Sequence, residues 1–393
     1  MTTRMYFTDA QLAEFDATVI STQAVGDRFE VVLDQTAFYP TSGGQPYDTG
    51  RLGAARVIDV NDDDAGVIRH VTDSPLAEGA RVHGLIDWPR RLDHMQQHTG
   101  QHVLSAAFDR LFNVRTTSFH LGAESATIDL AREVTPAEIA RAEAEANRVV
   151  WEARPVTVRF VTSEEAARLP LRKEPVKSGT LRLVEVTDFD LSACGGTHVP
   201  QTGLIGMIGV AGWERFKGAT RLTFVCGGRA LKSHATLRDV VAGATRALSV
   251  LPSELASGIE RLQAELKAGS REARKLQEEL AGFRAAQLLD EAATIGPYRG
   301  VLRAHPGWDA AALKTLAAAL VSGPGVIVVL TGEGSPTPVV VARSKDVAVD
   351  AGAWMTRATA ELGGRGGGRP EMAQGGLVSD PERIFDFARQ TLI

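Results

Sequence analysis

Cysteine and long apolar runs are both scarce in this chain of 393 residues. The two cysteines, Cys194 and Cys226, allow at most one disulfide, which excludes the disulfide-rich scaffold of a small secreted domain. The aliphatic segment 325–330 is far too short to cross a bilayer, and the N-terminal residues lack the apolar core of a signal peptide. We therefore expect a cytoplasmic protein without membrane association.

An excess of positive charge is also missing. The formal net charge is −5, so the chain as a whole lacks the basic signature of a nucleic-acid-binding protein. A nucleic acid would have to be held by local basic groups, and the candidates are Arg172 with Lys173 and Lys217 with Arg221. For each of these residues, a solvated surface charge is an equally good interpretation.

The hydrophobic pattern predicts an α+β protein of several domains. Short apolar runs separated by turn residues indicate a small, glycine-rich β-barrel in residues 1–90. Residues 91–232 combine helical and strand patterns, as expected for helices lying on a mainly antiparallel sheet. Residues 293–393 form a further α/β unit.

Residues 233–292 are predicted to form one long helix that links these domains. Its apolar residues recur with the 4–3 spacing of a coiled coil, and the seam stays in phase across Gly269 and Ser270. The helix could be an internal strut or the seam of a homodimer. The seam residues are Leu255, Ile259, Leu262, Leu266, Gly269, Ala273, Leu276, Leu280 and Phe283.

Two short motifs predict a metal site. His98 and His102 are four residues apart in a predicted helix, and Cys194 and His198 flank a Gly-Gly-Thr turn. Histidines at positions i and i+4 share one helical face and can bind one cation. Three imidazoles and a thiolate form a ligand set that tetrahedral Zn²⁺ prefers, so we expect one Zn²⁺ per chain.

The role of this zinc is left open by the residues themselves. Four protein ligands suit a closed structural site, whereas a catalytic zinc usually keeps one position for water. No glutamate follows His98, so the helix does not carry its own general base as a metalloprotease helix does. His94, His120 and Asp190 are candidates for proton transfer, although each is individually more often structural, and activated water alone could suffice.

Several motifs of the chain resemble those of a known family. Residues 93–105 together with 194–199 resemble the editing domain of alanyl-tRNA synthetase and its free-standing relatives, the AlaX proteins. Residues 38–45, Phe-Tyr-Pro-Thr-Ser-Gly-Gly-Gln, and 171–175, Leu-Arg-Lys-Glu-Pro, match further motifs of that family. Residues 366–374 resemble the C-terminal domain that these synthetases share with DHH-type phosphoesterases, termed DHHA1. The order and spacing are those of the long AlaX subtype.

The resemblance implies a trans-editing hydrolase. Its substrate would be tRNA(Ala) mischarged with serine, with the glycine ester as a second candidate, and the zinc would activate water or position the substrate. No segment is expected to resemble a class II aminoacylation domain. The resemblance also associates the helical region with contact to the tRNA elbow and with dimerisation.

Substrate selection then poses a steric problem, because alanine fits any pocket that admits serine. Polar groups that pair with the seryl hydroxyl can discriminate, since alanine would leave them unpaired. The candidates are Thr41, Ser42, Gln45, Thr99 and Gln101, although local turn or helix contacts explain each of them as well. In the glycine-rich loop 363–376, backbone amides could bind tRNA phosphates, although a flexible surface turn explains the glycines equally well. The candidates are Gly366, Gly367, Gly368 and Arg369.

Two other functions are compatible with parts of the sequence. A phosphodiesterase is suggested by the C-terminal resemblance, but it would need an Asp-His-His cluster, and Asp93-His94 is followed by Met95. The other rival is a non-catalytic, zinc-stabilised module that binds tRNA.

Overall fold

The N-terminal residues form a closed barrel of six strands. A computed structural model describes residues 2–63, 66–172 and 179–392. The barrel order is β2-β3-β7-β6-β5-β8, and antiparallel pairing of β8 with β2 closes it. Alternating apolar residues such as Val19, Val31 and Val57 fill its interior, which confirms the predicted barrel. The strands of this region are β1 (Thr3–Arg4), β2 (Glu14–Val25), β3 (Arg28–Leu33), β4 (Gln35–Thr36), β5 (Gly50–Leu52), β6 (Ala55–Asp62), β7 (Ile68–Thr72) and β8 (Arg81–Ile86).

The helix predicted around His98 and His102 is present as α1 (Trp88–Phe112). The Asp87 side chain accepts the backbone N–H of Arg90, and Pro89 lies in the first turn, where a missing N–H costs nothing. The helix ends at Asn113, which takes a left-handed conformation. Every residue from Gln97 to Phe108 is buried, so α1 is a central element of its domain.

Two antiparallel sheets and α2 surround α1. One sheet has the order β14-β15-β10-β9 and the other β11-β12-β13. The core packs Leu104 and Phe108 of α1 with sheet residues such as Ile128 and with Ile139 of α2. A capping box formed by Thr135 and Glu138 begins α2. The elements are β9 (Thr116–Leu121), β10 (Ala126–Leu130), α2 (Pro136–Trp151), β11 (Val156–Thr162), α3 (Ser163–Ala166), β12 (Thr180–Val186), β13 (Asp190–Ala193), β14 (Ile208–Phe216) and β15 (Ala219–Cys226).

The expectation of a single helix over residues 233–292 is wrong, because two helices occupy this region. α4 (Gly227–Leu248) and α5 (Leu255–Asp290) are separated by a short 3-10 turn at Pro252–Glu254. Ser249 adopts a left-handed φ of 53°, and Leu251 precedes a proline, which disfavours helical backbone. The helix does continue through Gly269 and Ser270, as the seam predicted. Neither α5 nor any other helix of the described residues is long and apolar enough to cross a membrane.

The chain divides into two compact units, residues 1–243 and 244–393. In the second unit a sheet of six strands has the order β16-β17-β18-β19-β21-β20. Residues of α7 and α8, among them Trp354 and Phe385, pack into one core with Ile327 of the sheet. A second core joins Leu313 and Leu316 of α6 with Val328. The elements are β16 (Ala293–Ile295), β17 (Tyr298–Ala304), α6 (Ala310–Leu320), β18 (Val326–Thr331), β19 (Thr337–Arg343), α7 (Ala351–Leu362), β20 (Gly364–Arg369), β21 (Met372–Leu377) and α8 (Pro381–Thr391).

The glycine-rich segment 363–376 is a β-hairpin rather than the predicted loop. β20 pairs with β21 in antiparallel register. A Cβ on Gly366 would come within 2.8 Å of Met355 Sδ on α7, and one on Gly368 within 2.3 Å of the Cα of Ala373. The glycines therefore allow the hairpin to pack closely at the edge of the sheet. A flexible loop would not need glycine at these positions.

Candidate metal centre

The four predicted ligands converge at one point. His98 and His102 come from adjacent turns of α1, and Cys194 and His198 come from the segment after β13. Their ligand atoms all lie within 4.8 Å of one another. Cys194 Sγ is 3.4 Å from His98 Nε2 and 3.3 Å from His198 Nε2. Tetrahedral Zn²⁺ with bonds of about 2.0–2.3 Å needs ligand separations of about 3.3–3.6 Å, and these two sulfur–nitrogen distances match that geometry.

Each of the three imidazoles has a hydrogen-bond partner for its other ring nitrogen. His102 Nδ1 lies 2.9 Å from Asp190 Oδ2, and His198 Nδ1 lies 3.2 Å from Thr99 Oγ1. His98 Nδ1 lies 2.9 Å from Gln45 Oε1. A carboxylate oxygen only accepts, so the proton of His102 lies on Nδ1 and its Nε2 lone pair is available to a metal.

Asp190 is itself held in place by charge and hydrogen bonds. Arg172 Nε donates to its Oδ1 at 2.6 Å, and Ser192 Oγ donates to Oδ2 at 3.1 Å. Burial alone would raise the pKa of Asp190, but the hydrogen bond to His102 and the charge of Arg172 hold that pKa far below its usual range. Asp190 is therefore a carboxylate held in place by His102, Arg172 and Ser192.

The loop that carries Cys194 and His198 is shaped around the ligands. Arg182 Nη1 donates to the carbonyl oxygens of Cys194 at 2.7 Å and Gly196 at 3.0 Å. A Cβ on Gly196 would lie 2.2 Å from His98 Cε1, so only glycine allows this approach. Burial opposes ionisation of Cys194, but the neighbouring histidines lower its pKa well below the usual value, which favours the thiolate that binds metal.

The five predicted substrate-binding residues separate into two groups. Thr99 accepts from the backbone N–H of Val199 besides contacting His198, and Gln101 donates to Ser105 Oγ. Gln45 is fully buried and accepts the backbone N–H of Thr197, which lies between Cys194 and His198. Thr41 and Ser42, by contrast, are exposed at the tip of the segment between β4 and β5, where their hydroxyls can meet a ligand.

The other two candidates for proton transfer lie apart from the ligand atoms. Phe119 of β9 stacks on His98 with ring centroids 5.3 Å apart. Successive strand residues point to opposite faces, so His120 faces away from that ring. His94 lies one turn before His98 and is buried, with no hydrogen-bond partner for Nδ1 among the described residues. Burial and the charge of Arg90 lower the pKa of His94 to about 4.

The predicted tRNA-binding residues have varied surroundings. Arg172 is bound to Asp190, and Lys173 lies outside the described residues. Arg221 pairs with Asp129 at 2.7 Å and stacks 3.6 Å above the Phe216 ring. Lys217 Nζ lies 5.1 Å from the same ring centroid. Gly366, Gly367, Gly368 and Arg369 occupy the exposed edge strand β20.

Sequence reasoning missed Arg182 and the buried ion pair of Arg91 with Asp48. Arg182 stands between two buried leucines in β12, and a cation inside such an apolar run was a signal that it has a buried partner. No comparable pattern marks Asp48, which lies in a polar, turn-rich segment of the barrel.

Three family models match the chain in separate regions. "tRNA synthetases class II (A)" matches residues 6–90, and "Threonyl and Alanyl tRNA synthetase second additional domain" matches residues 181–223. The "DHHA1 domain" model matches residues 297–392. Residues 6–90, which match the model named for class II synthetases, form the closed barrel in this structure.

The most informative relative is the alanyl-tRNA editing protein AlaX-L of Pyrococcus horikoshii. It is 34% identical over 406 residues that cover 100% of this chain and 98% of that protein. This chain belongs to the AlaX-L family. The alanine–tRNA ligases of Pyrococcus abyssi and Pyrococcus furiosus are 34% and 36% identical over 388 residues, 95% of this chain. The chain spans 42% of each ligase, less than half of its length.

One solved structure, the C-Ala domain from Aquifex aeolicus alanyl-tRNA synthetase, aligns with 26% of this AlaX-L family member and 96% of that chain. The sequence identity is 21% and the TM-score 0.25, a likeness too low to carry an argument.

Proposed function

We propose that this protein is a trans-editing aminoacyl-tRNA deacylase. It hydrolyses the ester between serine and the terminal ribose of mischarged tRNA(Ala), and the glycine ester is its second substrate. The AlaX-L relative, an alanyl-tRNA editing protein by name, supports this proposal over nearly equal chain length. The family match over residues 181–223 supports it in the segment that includes Cys194 and His198.

The observation that carries the proposal is the convergence of His98, His102, Cys194 and His198. A Zn²⁺ bound by these four residues would supply Lewis acidity to an ester carbonyl or to water. Asp190 keeps His102 in the tautomer whose Nε2 is free to bind a metal, and Thr99 Oγ1 contacts Nδ1 of His198. No described residue next to the ligands is an obvious general base, because Asp190 is a paired carboxylate.

Discrimination between serine and alanine is assigned to Thr41 and Ser42. They are exposed, whereas Thr99, Gln101 and Gln45 are buried and hydrogen-bonded to the protein. A hydroxyl that pairs with the seryl side chain favours serine by about 1–3 kcal/mol over alanine, which cannot make the bond. Steric exclusion cannot give this order of preference, because alanine is the smaller side chain.

The remaining parts of the chain are proposed to bind tRNA and a second subunit. The exposed strand β20 offers Arg365, Arg369 and glycine backbone amides to phosphate groups. The seam of α5 exposes Leu266 and Phe283 by 73% and 80%, which suits association of two copies through this helix. We therefore propose a homodimer that forms through the helical or C-terminal region.

Deacylation with and without a chelator tests the proposal. The protein is incubated with Ser-tRNA(Ala), Gly-tRNA(Ala) and Ala-tRNA(Ala), and the surviving ester is measured. Hydrolysis of the seryl ester by the protein supports the proposed deacylase if a chelator stops that hydrolysis. A closed set of four protein ligands also suits a non-catalytic, zinc-stabilised tRNA-binding module. That candidate predicts tRNA binding, unchanged ester half-lives, and unfolding of the protein when the metal is removed.

A further inference from the structure

Gln45 lies in the segment between β4 and β5 of the barrel region, yet its side chain reaches the candidate metal ligands. The backbone makes a tight turn here, because Ser42 and Gln45 exchange N–H···O=C bonds of 3.1 and 2.9 Å. Gly43 and Gly44 between them have φ values of 57° and 84°, which glycine adopts without strain. The turn reverses the chain, and Gln45, unlike its exposed neighbours, is completely buried.

The amide of Gln45 makes three hydrogen bonds around the ligands. Gln45 Oε1 lies 2.9 Å from His98 Nδ1 and accepts the backbone N–H of Thr197 at 3.1 Å. Gln45 Nε2 donates to Thr197 Oγ1 at 2.8 Å. Thr197 precedes the ligand His198. One side chain of the barrel therefore contacts both halves of the ligand set, the α1 half and the loop half.

These contacts also determine the tautomer of His98. A backbone N–H can only donate, so the atom that faces Thr197 N must be the amide oxygen rather than the amide nitrogen. The same oxygen then accepts from His98, which places the imidazole proton on Nδ1. Nε2 of His98 is left with its lone pair directed toward Cys194 Sγ at 3.4 Å.

We propose that Gln45 is a positioning residue for the metal, through which the barrel completes the metal centre by orienting His98 and fixing the Cys194–His198 loop. Outer hydrogen-bond partners of metal ligands change metal affinity about 10- to 100-fold when they are removed. Gln45 contacts no ligand atom that faces the ion, so its effect is exerted through His98 and Thr197. The inference rests on the metal centre proposed above.

Zinc affinity measured by competition with a chromophoric chelator tests this proposal. We expect Gln45→Met, which keeps the length and burial of the side chain, to weaken zinc binding about 10- to 100-fold. Gln45→Glu retains an acceptor for both N–H groups and should bind zinc nearly as tightly as the parent protein. The visible absorption of the Co²⁺ protein should keep its tetrahedral bands in Gln45→Glu and lose intensity in Gln45→Met.

A matched control is available on α1. Gln97 is also a completely buried glutamine, but its amide bonds to the backbone of Cys226 at 2.8 and 3.0 Å and not to a ligand. Gln97→Met should destabilise the fold without changing zinc affinity. If Gln45→Met does not fold, Gln45→Asn, in which the amide is withdrawn by one methylene, takes its place with the same expected loss.

The outcomes separate this inference from the metal centre itself. A parent protein that binds no zinc overturns the metal centre. A parent that binds zinc, with Gln45→Met binding equally tightly, overturns the role of Gln45 alone. A Gln45→Glu protein as weak as Gln45→Met also overturns it, because the acceptor oxygen would then not be the group that matters.

Discussion

Asp48 of the barrel and Arg91 of α1 form an ion pair in which both side chains are completely buried. Arg91 Nε lies 3.1 Å and 3.0 Å from the two carboxylate oxygens. Its other nitrogens donate to the carbonyl oxygens of Ala10 at 2.8 Å and Ala37 at 2.6 Å. Asp48 also accepts the backbone N–H of Tyr39 at 2.7 Å. The pair thus fixes the segment that carries Gln45 against the helix that carries His98.

Removal of one partner should be strongly destabilising. Arg91→Met leaves Asp48 as an unpaired buried charge, and we expect a loss of about 3–5 kcal/mol in the free energy of unfolding measured with urea. Arg274→Met is the control, because Arg274 pairs with Glu278 on the exposed surface of α5 and should lose about 0.5 kcal/mol or less. Equal effects in the two variants would show that burial of the Arg91 pair is unimportant.

The exposed hydroxyl of Thr41 should determine which amino acid is removed. Thr41→Val keeps the shape of the side chain but cannot pair with the seryl hydroxyl. We expect hydrolysis of Ser-tRNA(Ala) to slow about 5- to 150-fold, equivalent to 1–3 kcal/mol, while hydrolysis of Gly-tRNA(Ala) is unaffected. Thr356→Val, on α7 of the other unit, should change neither rate. If Thr41→Val slowed hydrolysis of both esters equally, Thr41 would not be the group that recognises the seryl hydroxyl.

Acid should destabilise the barrel through His70. This side chain is completely buried, bonded to Thr36 Oγ1 at 2.8 Å and the Val31 carbonyl at 3.0 Å. Burial lowers its pKa to about 4 from the ordinary 6.5, so between these values the unfolded chain binds a proton that the folded chain does not. The contribution of His70 is complete above pH 6.5 and falls by about 3 kcal/mol as the pH drops to 4.

Unfolding free energies measured between pH 7 and 4 check this expectation. His70→Gln should show a shallower decrease with falling pH than the parent protein, whatever its stability at pH 7. His234→Gln, at an exposed position of α4, serves as the control and should keep the parent slope. If His70→Gln and the parent protein have the same slope, the buried imidazole is not the source of the acid sensitivity.

The seam of α5 should hold two copies of the chain together. Leu266 is 73% exposed in the single chain, and Leu266→Glu would place two carboxylates against each other in a dimer. We expect light scattering to show a dimer for the parent protein and a monomer for Leu266→Glu. Ala264→Glu, off the seam, introduces the same charge and should remain dimeric. A parent protein that is monomeric at all concentrations tested would contradict the proposed seam.

Local patterns were enough to predict much of the fold. The helix from Trp88 to Phe112, the capping box at Thr135 and the barrel all follow from periodicity and turn residues that lie close together in the chain. The break between α4 and α5 was also visible in principle, since Leu251-Pro252 disfavours a helix, but the heptad spacing on its C-terminal side suggested continuity.

The convergence of the four candidate ligands was predictable because each pair lies within one short motif, whereas their hydrogen-bond partners were not predictable. Asp190 is 88 positions from His102, and Gln45 is 53 positions from His98. Such contacts depend on how the barrel, α1 and β13 pack, which no local spacing encodes. The glycine run 363–376 has few side chains, so no alternation could show that it forms a hairpin.

Deacylation of Ser-tRNA(Ala) by the zinc-loaded protein and by His102→Ala is the most direct test of the metal centre as the place of reaction. Circular dichroism should first show that both proteins are folded. The account predicts rapid loss of the seryl ester with the parent protein, a half-life near that of the uncatalysed ester with His102→Ala or after chelation, and an unaffected Ala-tRNA(Ala). Equal seryl-ester half-lives with parent protein, chelated protein and buffer alone would contradict it.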